Sequence, residues 1–235
     1  MTNGKVISTI SCKVIARITI GQFGRERHGK LAGRKIYSMA NQQQYYILQQ
    51  GVAVWNQWRK KHPDILPDLS GIRLIKANLI RADLSRTDLS RASLSRIDLS
   101  ESDLGEANLN GTILFQANLN QTNLSKANLS LAFLVRSELI RANLSGAKLR
   151  EANLSNVDLY RADLMFTDLT GTILSEANLS GAYLNGAHLY RANLESADLS
   201  EADLSGTILD EANLRGAIYS EEQLSRAQSC HNIIR

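Results

Sequence analysis

The chain has 235 residues, of which 43% are hydrophobic and 6% aromatic, enough apolar content for one or two folded domains. Its net charge of +4 is unevenly distributed: residues 1–66 hold eleven Lys and Arg against Glu26 and Asp64, and the rest of the chain is net −5. With only Cys12 and Cys230, the composition excludes a disulfide framework and a cysteine metal cluster, and it fits a reducing cytoplasm.

Residues 1–38 contain one acid, no repeat and no clear periodicity, so we expect a disordered basic tail. The apolar stretch VISTISCKVIARITI is interrupted by Lys13 and Arg17, and it is too short for a membrane span and too charged for a signal peptide. Two alternatives stay open. The segment is upstream sequence, or it is a basic arm for nucleic acid. The lack of interleaved aromatic residues argues against the arm.

Residues 39–66 are predicted to form an N-terminal cap helix and a lead-in to the next domain. Within residues 41–61, apolar side chains recur at the spacing of one helix face, although Gly51 weakens the pattern. They are Tyr45, Leu48, Val52 and Trp55. Pro63 and Pro67 then stop the helix. We expect the aromatic side chains, including Trp58, to cover the open end of the following domain, and a partner-binding tryptophan surface is the alternative.

A five-residue repeat fills the centre of the chain. From Leu69 to Leu214 every fifth residue is leucine, thirty positions without a slip, as in ANLESADLSEADLSG at 192–206. A small residue, usually Ala, stands two positions before each leucine, and Asp or Asn usually stands between them. A period of five matches neither a helix nor a flat strand. The backbone must therefore turn by a fixed amount every five residues, and the Gly, Ser, Asn and Asp of the repeat suit such turns.

This repeat resembles the pentapeptide repeat family, A-(D/N)-L-x-x, over roughly residues 67–220. The lead-in WNQWRKKHPDILPDLSG resembles that of cyanobacterial members, and this resemblance implies Met39 as a natural start. The resemblance implies an all-β fold, a right-handed quadrilateral β-helix with four pentapeptides per coil and short α-helical caps at both ends. We therefore expect the β-helix to occupy residues 67–219, with its leucines stacked in the interior.

Residues 220–235 are predicted to form a C-terminal cap helix and a tail. In YSEEQLSRA, Ser220 is followed three residues later by Gln223, which is a capping-box pattern. The pattern predicts a short helix from about 221 to 228 that closes the last coil.

The sequence carries no recognisable catalytic motif. Its four histidines form no metal-spaced pair, and it contains no nucleophile elbow, phosphate loop or dinucleotide fingerprint. Paired carboxylates such as Asp83 and Asp103 are twenty residues apart, one coil, and should stack because of the repeat alone. We therefore expect no enzyme activity, cofactor, metal or small-molecule substrate.

Four outward apolar side chains should lie together, because residues twenty apart fall on one face. They are Ile113, Phe115, Phe133 and Val135. Ile75 and Ile173 fall at the two ends of the same face, and Ile140 and Tyr160 fall on the next face. Exposed apolar patches usually mark contact sites, so this patch is predicted to meet an unidentified protein or a second copy of the chain. The alternative is local packing.

Six basic residues occupy the first coil and a half. They are Arg73, Lys76, Arg81, Arg86, Arg91 and Arg96. Because successive repeats point to successive faces, they should wrap the rod as a basic collar. A charged surface that only contacts solvent is the alternative.

These features favour a non-enzymatic protein–protein interaction scaffold in the cytoplasm, with no membrane contact. One alternative comes from the resemblance, since some family members mimic duplex DNA and bind type II topoisomerases. Such mimicry needs a strongly negative rod, whereas residues 67–235 are only −5 and begin with a basic collar. The other alternative is nucleic-acid binding through the basic residues 1–66.

Overall fold

The computed structural model describes residues 40–235, so the predictions for residues 1–38 and for Met39 lie outside the described part. Parallel bridges join residues twenty apart in an unbroken series that runs from Asp68↔Asp88 to Asp198↔Ile218 and includes Asp83↔Asp103. One coil therefore contains four five-residue repeats. We number the four faces of the coil by their first leucines: face 1 contains Leu74, face 2 Leu79, face 3 Leu84 and face 4 Leu69.

The core is a stack of leucines, as predicted. All thirty leucines from Leu69 to Leu214 are buried, and the most exposed of them, Leu74, is only 7% accessible. Burying a leucine contributes roughly 1.5–3 kcal/mol, which offsets the conformational entropy that the ordered chain loses. The small residues two positions earlier are buried too, except Ala77, which is half-buried. Where Thr or Ser replaces Ala, the hydroxyl donates to a core carbonyl, as Thr112 Oγ1 does to Leu89 O at 2.9 Å.

The corners of the coil place ordinary side chains in the left-handed backbone region. The second residue after each leucine has a positive φ, for example 60° at Arg81 and 57° at Gln121. This conformation costs an L-residue about 1 kcal/mol. Hydrogen bonds along the stack hold it, since Arg81 N donates to Ser100 O at 3.1 Å. The residue before each leucine favours Asp or Asn because its side chain accepts from the turn, as Asp83 Oδ1 does from Ser85 N at 3.2 Å.

Two helices precede the coils where the sequence predicted one. Helix α1 spans Gln42–Gln49 and helix α2 spans Val52–Lys61. Gly51 separates them with a φ of 108°, a conformation outside the helical range.

The C-terminal helix is shorter than predicted. Helix α3 spans Glu221–Ser225, and Ser220 and Gln223 form the predicted capping box. The chain then returns to the ladder rather than trailing away from it, because Arg226 O accepts from Gly206 N at 2.9 Å. Bridges Ile208↔Ser229 and Asn213↔Ile234 continue the stack with one extra residue per coil.

Side-chain amides complete the hydrogen bonding of the first coil. Asn56, on α2, donates through Nδ2 to Arg81 O at 2.9 Å and accepts from Asp83 N at 2.9 Å. Gln44 Oε1, on α1, accepts from Asp68 N at 2.8 Å. In later coils the equivalent amides bond to a carbonyl one coil earlier, as Asp103 N does to Ala82 O, so the two side chains replace an absent coil on faces 3 and 4.

Helix α2 buries an aromatic and a basic side chain against face 3. The fully buried Trp55 donates through Nε1 to Asp83 O at 2.6 Å. Arg59, whose side chain is 3% exposed, donates to Ile65 O at 3.0 Å and Ser85 O at 2.8 Å, and it lies 3.4 Å from Asp83 Oδ2. The tryptophan-rich lead-in is therefore a packing and hydrogen-bonding element.

Candidate protein-interaction face

The four predicted apolar side chains form one contiguous patch on face 1. Ile113 and Phe133 are bridge partners in adjacent coils, 44% and 39% exposed respectively. The rings of Phe115 and Phe133 lie 6.4 Å apart between centroids, with an interplanar angle of 32°. The core beneath is already filled, since Leu114 and Leu134 are fully buried. We call Ile113, Phe115, Phe133 and Val135 the face 1 patch.

Leu131 adjoins this patch and was missed by the sequence prediction. It occupies the corner just before face 1, two residues from Phe133, and is 58% exposed. The twenty-residue spacing carries the signal, because the same corner column holds Arg91 and Gly111 in the coils before. It was overlooked because a corner residue belongs to the preceding repeat in sequence and borders the next face in space.

Ile75 and Ile173 lie on face 1, each two coils from the patch, and both are exposed. Ile140 and Tyr160 lie on face 2, around a corner from the patch, and are half-buried. Tyr160 carries the guanidinium of Arg161 at 5.2 Å from its ring centroid. The structure thus places six of the eight predicted apolar residues on face 1 and the other two on face 2.

The basic collar wraps all four faces. Of its members, Lys76, Arg81, Arg86, Arg91 and Arg96 stand at corners with positive φ. Arg81 pairs with Glu101 at 2.7 Å, and Arg86 donates to Pro63 O at 2.8 Å. Arg96 donates through Nε to Gln116 Oε1 at 2.9 Å, which leaves its charge uncompensated.

Charge is not shared equally among the faces. The first four repeats of face 1 contain four basic residues and no acid. The basic residues are Arg73, Lys76, Arg96 and Arg136. None of them takes part in an ion pair within residues 40–235. The first four repeats of each other face carry a net charge of −1. Face 1 therefore combines apolar side chains with a one-sided positive charge.

The resolved shifts lower the pKa of carboxyl groups. The Ser205 hydroxyl is the main cause of the lowered pKa of Asp203, with Asn185 contributing, and the Arg191 guanidinium holds the pKa of Glu211 down. Such carboxylates remain anionic hydrogen-bond acceptors, unlike a general acid, whose pKa must be raised.

The described residues offer little for a small ligand. A shallow groove of about 230 Å³ lies beside α1 and α2, with Gln44, Trp58 and His62 in its lining. Ligand pockets usually exceed about 300 Å³. Within residues 40–235 there is no group of three His, Cys, Asp or Glu that could hold a metal, and no helix long and apolar enough to cross a membrane.

Comparison with protein families finds a match to the model for pentapeptide repeats (8 copies), at residues 68–105, 92–130, 137–175 and 172–210. No match covers 131–136, the stretch LAFLVR that contains Leu131, Phe133 and Val135. No curated protein sequence matches the chain.

Solved structures of pentapeptide repeat proteins resemble the chain. HetL, involved in heterocyst differentiation regulation in the cyanobacterium Nostoc, is 33% identical, with 70% of this chain and 85% of HetL covered and a TM-score of 0.35. Full-length QnrB1, a plasmid-mediated fluoroquinolone resistance protein, is 16% identical, with 69% and 91% covered and a TM-score of 0.51. Rfr23 from the cyanobacterium Cyanothece is 23% identical, with 76% and 96% covered and a TM-score of 0.29.

Proposed function

Since the chain belongs to the pentapeptide repeat family and has its right-handed β-helix, we propose that it is a non-enzymatic scaffold that binds a protein chain through face 1. The face 1 patch is the observation that carries this proposal. Its positions elsewhere in the chain hold mainly Asp, Asn or Ser, and the buried leucines beneath do not need the extra side chains. Ile113 and Phe133 are exposed and Phe115 and Val135 are half-buried, and large apolar groups left accessible on a charged rod are best accounted for by a contact.

The helical ends support a scaffold of fixed length. We propose that α1 and α2 cap the first coil and that α3 caps the last, because their side chains bond to the ladder groups that a further coil would use. Gln223 Nε2, on α3, donates at 2.8 Å to Ala202 O, the kind of carbonyl that accepts from the next coil elsewhere in the stack, and at 2.7 Å to Leu199 O. Solenoids need such ends to stay separate and soluble.

DNA mimicry receives no support from the charges of the rod. A mimic of duplex DNA needs a negative surface, whereas the first half of face 1 is positive. The likeness to QnrB1 concerns the fold alone.

Photo-crosslinking tests the scaffold function directly. A benzophenone amino acid at position 115 should crosslink a protein chain in the cell that produces this protein. The matched control places it at Ser145, the same repeat position on face 3, where we expect no adduct. No adduct from position 115, or equal adducts from both positions, would contradict the proposal.

A double substitution separates binding from local packing. Phe115→Ser with Phe133→Asn restores the common repeat at both positions and leaves the core untouched. We expect an unchanged melting temperature and binding weaker by about 1 kcal/mol or more per aromatic ring. A variant that melts far lower and binds as before would show that the patch is local packing.

A further inference from the structure

The repeats of face 1 that carry large apolar side chains are distributed symmetrically about a midpoint. Its first six repeats span 72–76, 92–96, 112–116, 132–136, 152–156 and 172–176. Large apolar side chains stand in the first, third, fourth and sixth repeats. In the second and fifth repeats, the two side chains that flank the leucine are small and polar: Ser93 and Ser95, and Asn153 and Ser155. The midpoint lies between the third and fourth repeats, in the centre of the face 1 patch.

Consider a two-fold axis that passes through this midpoint, lies in the plane of the face and is perpendicular to the rod. It would bring two rods together in antiparallel orientation. The third repeat of one copy then meets the fourth of the other, and each column of side chains meets the same column. Ile113 lies opposite Phe133 of the second copy, and Phe115 opposite Val135. At the corner, Gly111 lies opposite Leu131, so a residue without a side chain faces a protruding one.

The charges agree with the same arrangement. Lys76, in the first repeat, lies opposite Glu176 in the sixth. At the other corner Arg91 lies opposite Glu151. Each pair occurs twice by symmetry. Arg96 meets Asn156, Arg136 meets Gln116 and Arg73 meets Ile173, so no two like charges face each other.

A parallel arrangement of the two rods does not pair the charges favourably. A two-fold axis along the rod makes each repeat meet itself, with the two corner columns facing each other. Arg91 of one copy would then lie opposite Arg96 of the other, twice, and like charges at an interface are unfavourable.

We propose that the chain bound by face 1 is a second copy of this protein, docked antiparallel about the midpoint between residues 112–116 and 132–136. This inference rests on the proposed function and identifies its partner. Six coils at about 4.8 Å each give a contact roughly 29 Å long. The contact has an apolar centre and charged edges, the usual layout of a protein interface.

Charge swapping tests the register of the dimer by analytical ultracentrifugation of the full chain. We expect a monomer–dimer equilibrium that Lys76→Glu or Glu176→Lys each weakens by about tenfold, because two exposed ion pairs become repulsive. The double variant with both changes should dimerise as the original chain does, since every pair is restored with reversed signs. Lys126→Glu, an exposed corner on face 3, is the matched control and should have no effect.

Each other result counts against the dimer. A chain that stays monomeric at every concentration would overturn it, as would dimers unaffected by the single changes or not restored by the double one. The mass of the photo-crosslinked adduct from position 115 separates the two proposals. An adduct of twice the chain mass supports the dimer. An adduct with a different protein overturns the dimer and keeps the scaffold function, and a nucleic-acid adduct overturns both.

Discussion

Replacing Arg59 with methionine should loosen the attachment of α2 to the first coil. The substitution keeps the apolar stem and removes the guanidinium, whose nitrogens lie 3.0 Å from Ile65 O, 2.8 Å from Ser85 O and 3.4 Å from Asp83 Oδ2. A hydrogen bond to a charged group contributes about 1.5–3 kcal/mol, and two carbonyl groups lose such a donor. The side chain of Asp83 is 38% exposed and regains water, so its part of the loss is small. We expect a total of about 3 kcal/mol.

Thermal unfolding followed by circular dichroism measures this loss. At about 2–4 °C per kcal/mol for a chain of this size, the melting temperature should fall by roughly 6–12 °C. Hydrogen exchange should be faster at the amide of Asp83, which Asn56 protects. Lys60→Met removes an exposed positive charge from the same helix and is the control. If both variants melt within about a degree of each other, α2 is not held by Arg59 and the reasoning is wrong.

Two further substitutions examine the core and the turns. Leu134→Ala should cost roughly 2–5 kcal/mol by leaving a cavity in mid-stack, measured by denaturant unfolding, and a cost below about 1 kcal/mol would contradict the filled core. At Asp203 the folded-state pKa is lowered from 3.8, mainly by Ser205, so its contribution to stability is present above pH 3.8 and lost as the pH falls through the lower folded value. Asp203→Asn can still accept from Ser205, so the melting temperature of this variant should depend less on pH between neutrality and the acid range. An unchanged acid profile would show that this carboxylate contributes nothing to acid unfolding.

The leucine spacing predicted a backbone that turns by a fixed amount every five residues, and the resemblance to pentapeptide repeats then implied the stacked leucine core. The capping box at Ser220 likewise predicted where α3 begins. The backbone conformation of the corners was only partly predictable from the sequence. Turn-forming residues were visible, but a left-handed backbone at Arg81 or Gln121 is held by bonds along the stack, which no local pattern shows.

The lead-in shows a second limit of sequence reasoning. The periodicity of Trp55 predicted a buried helix face. However, the pairing of Asn56 with Arg81 and Asp83 depends on which coil edge is open, so only the structure could give it. The face 1 patch, in contrast, follows from twenty-residue columns alone, because the repeat fixes the position of every outward side chain. The sequence prediction missed Leu131 only because this residue lies at a corner that borders the face.

Because bridges join residues twenty apart, the number of residues between two side chains decides whether they lie on the same face. Inserting one complete five-residue repeat in mid-rod keeps every leucine inside but rotates everything beyond it by a quarter turn. Lys76 and Glu176 would then point to different faces, although the stack itself would stay intact. Inserting four repeats restores the alignment and only moves the two groups one coil farther apart. Insertions of whole repeats can therefore preserve the fold while changing which side chains share a face. Only insertions in multiples of twenty residues keep the same side chains on the same face.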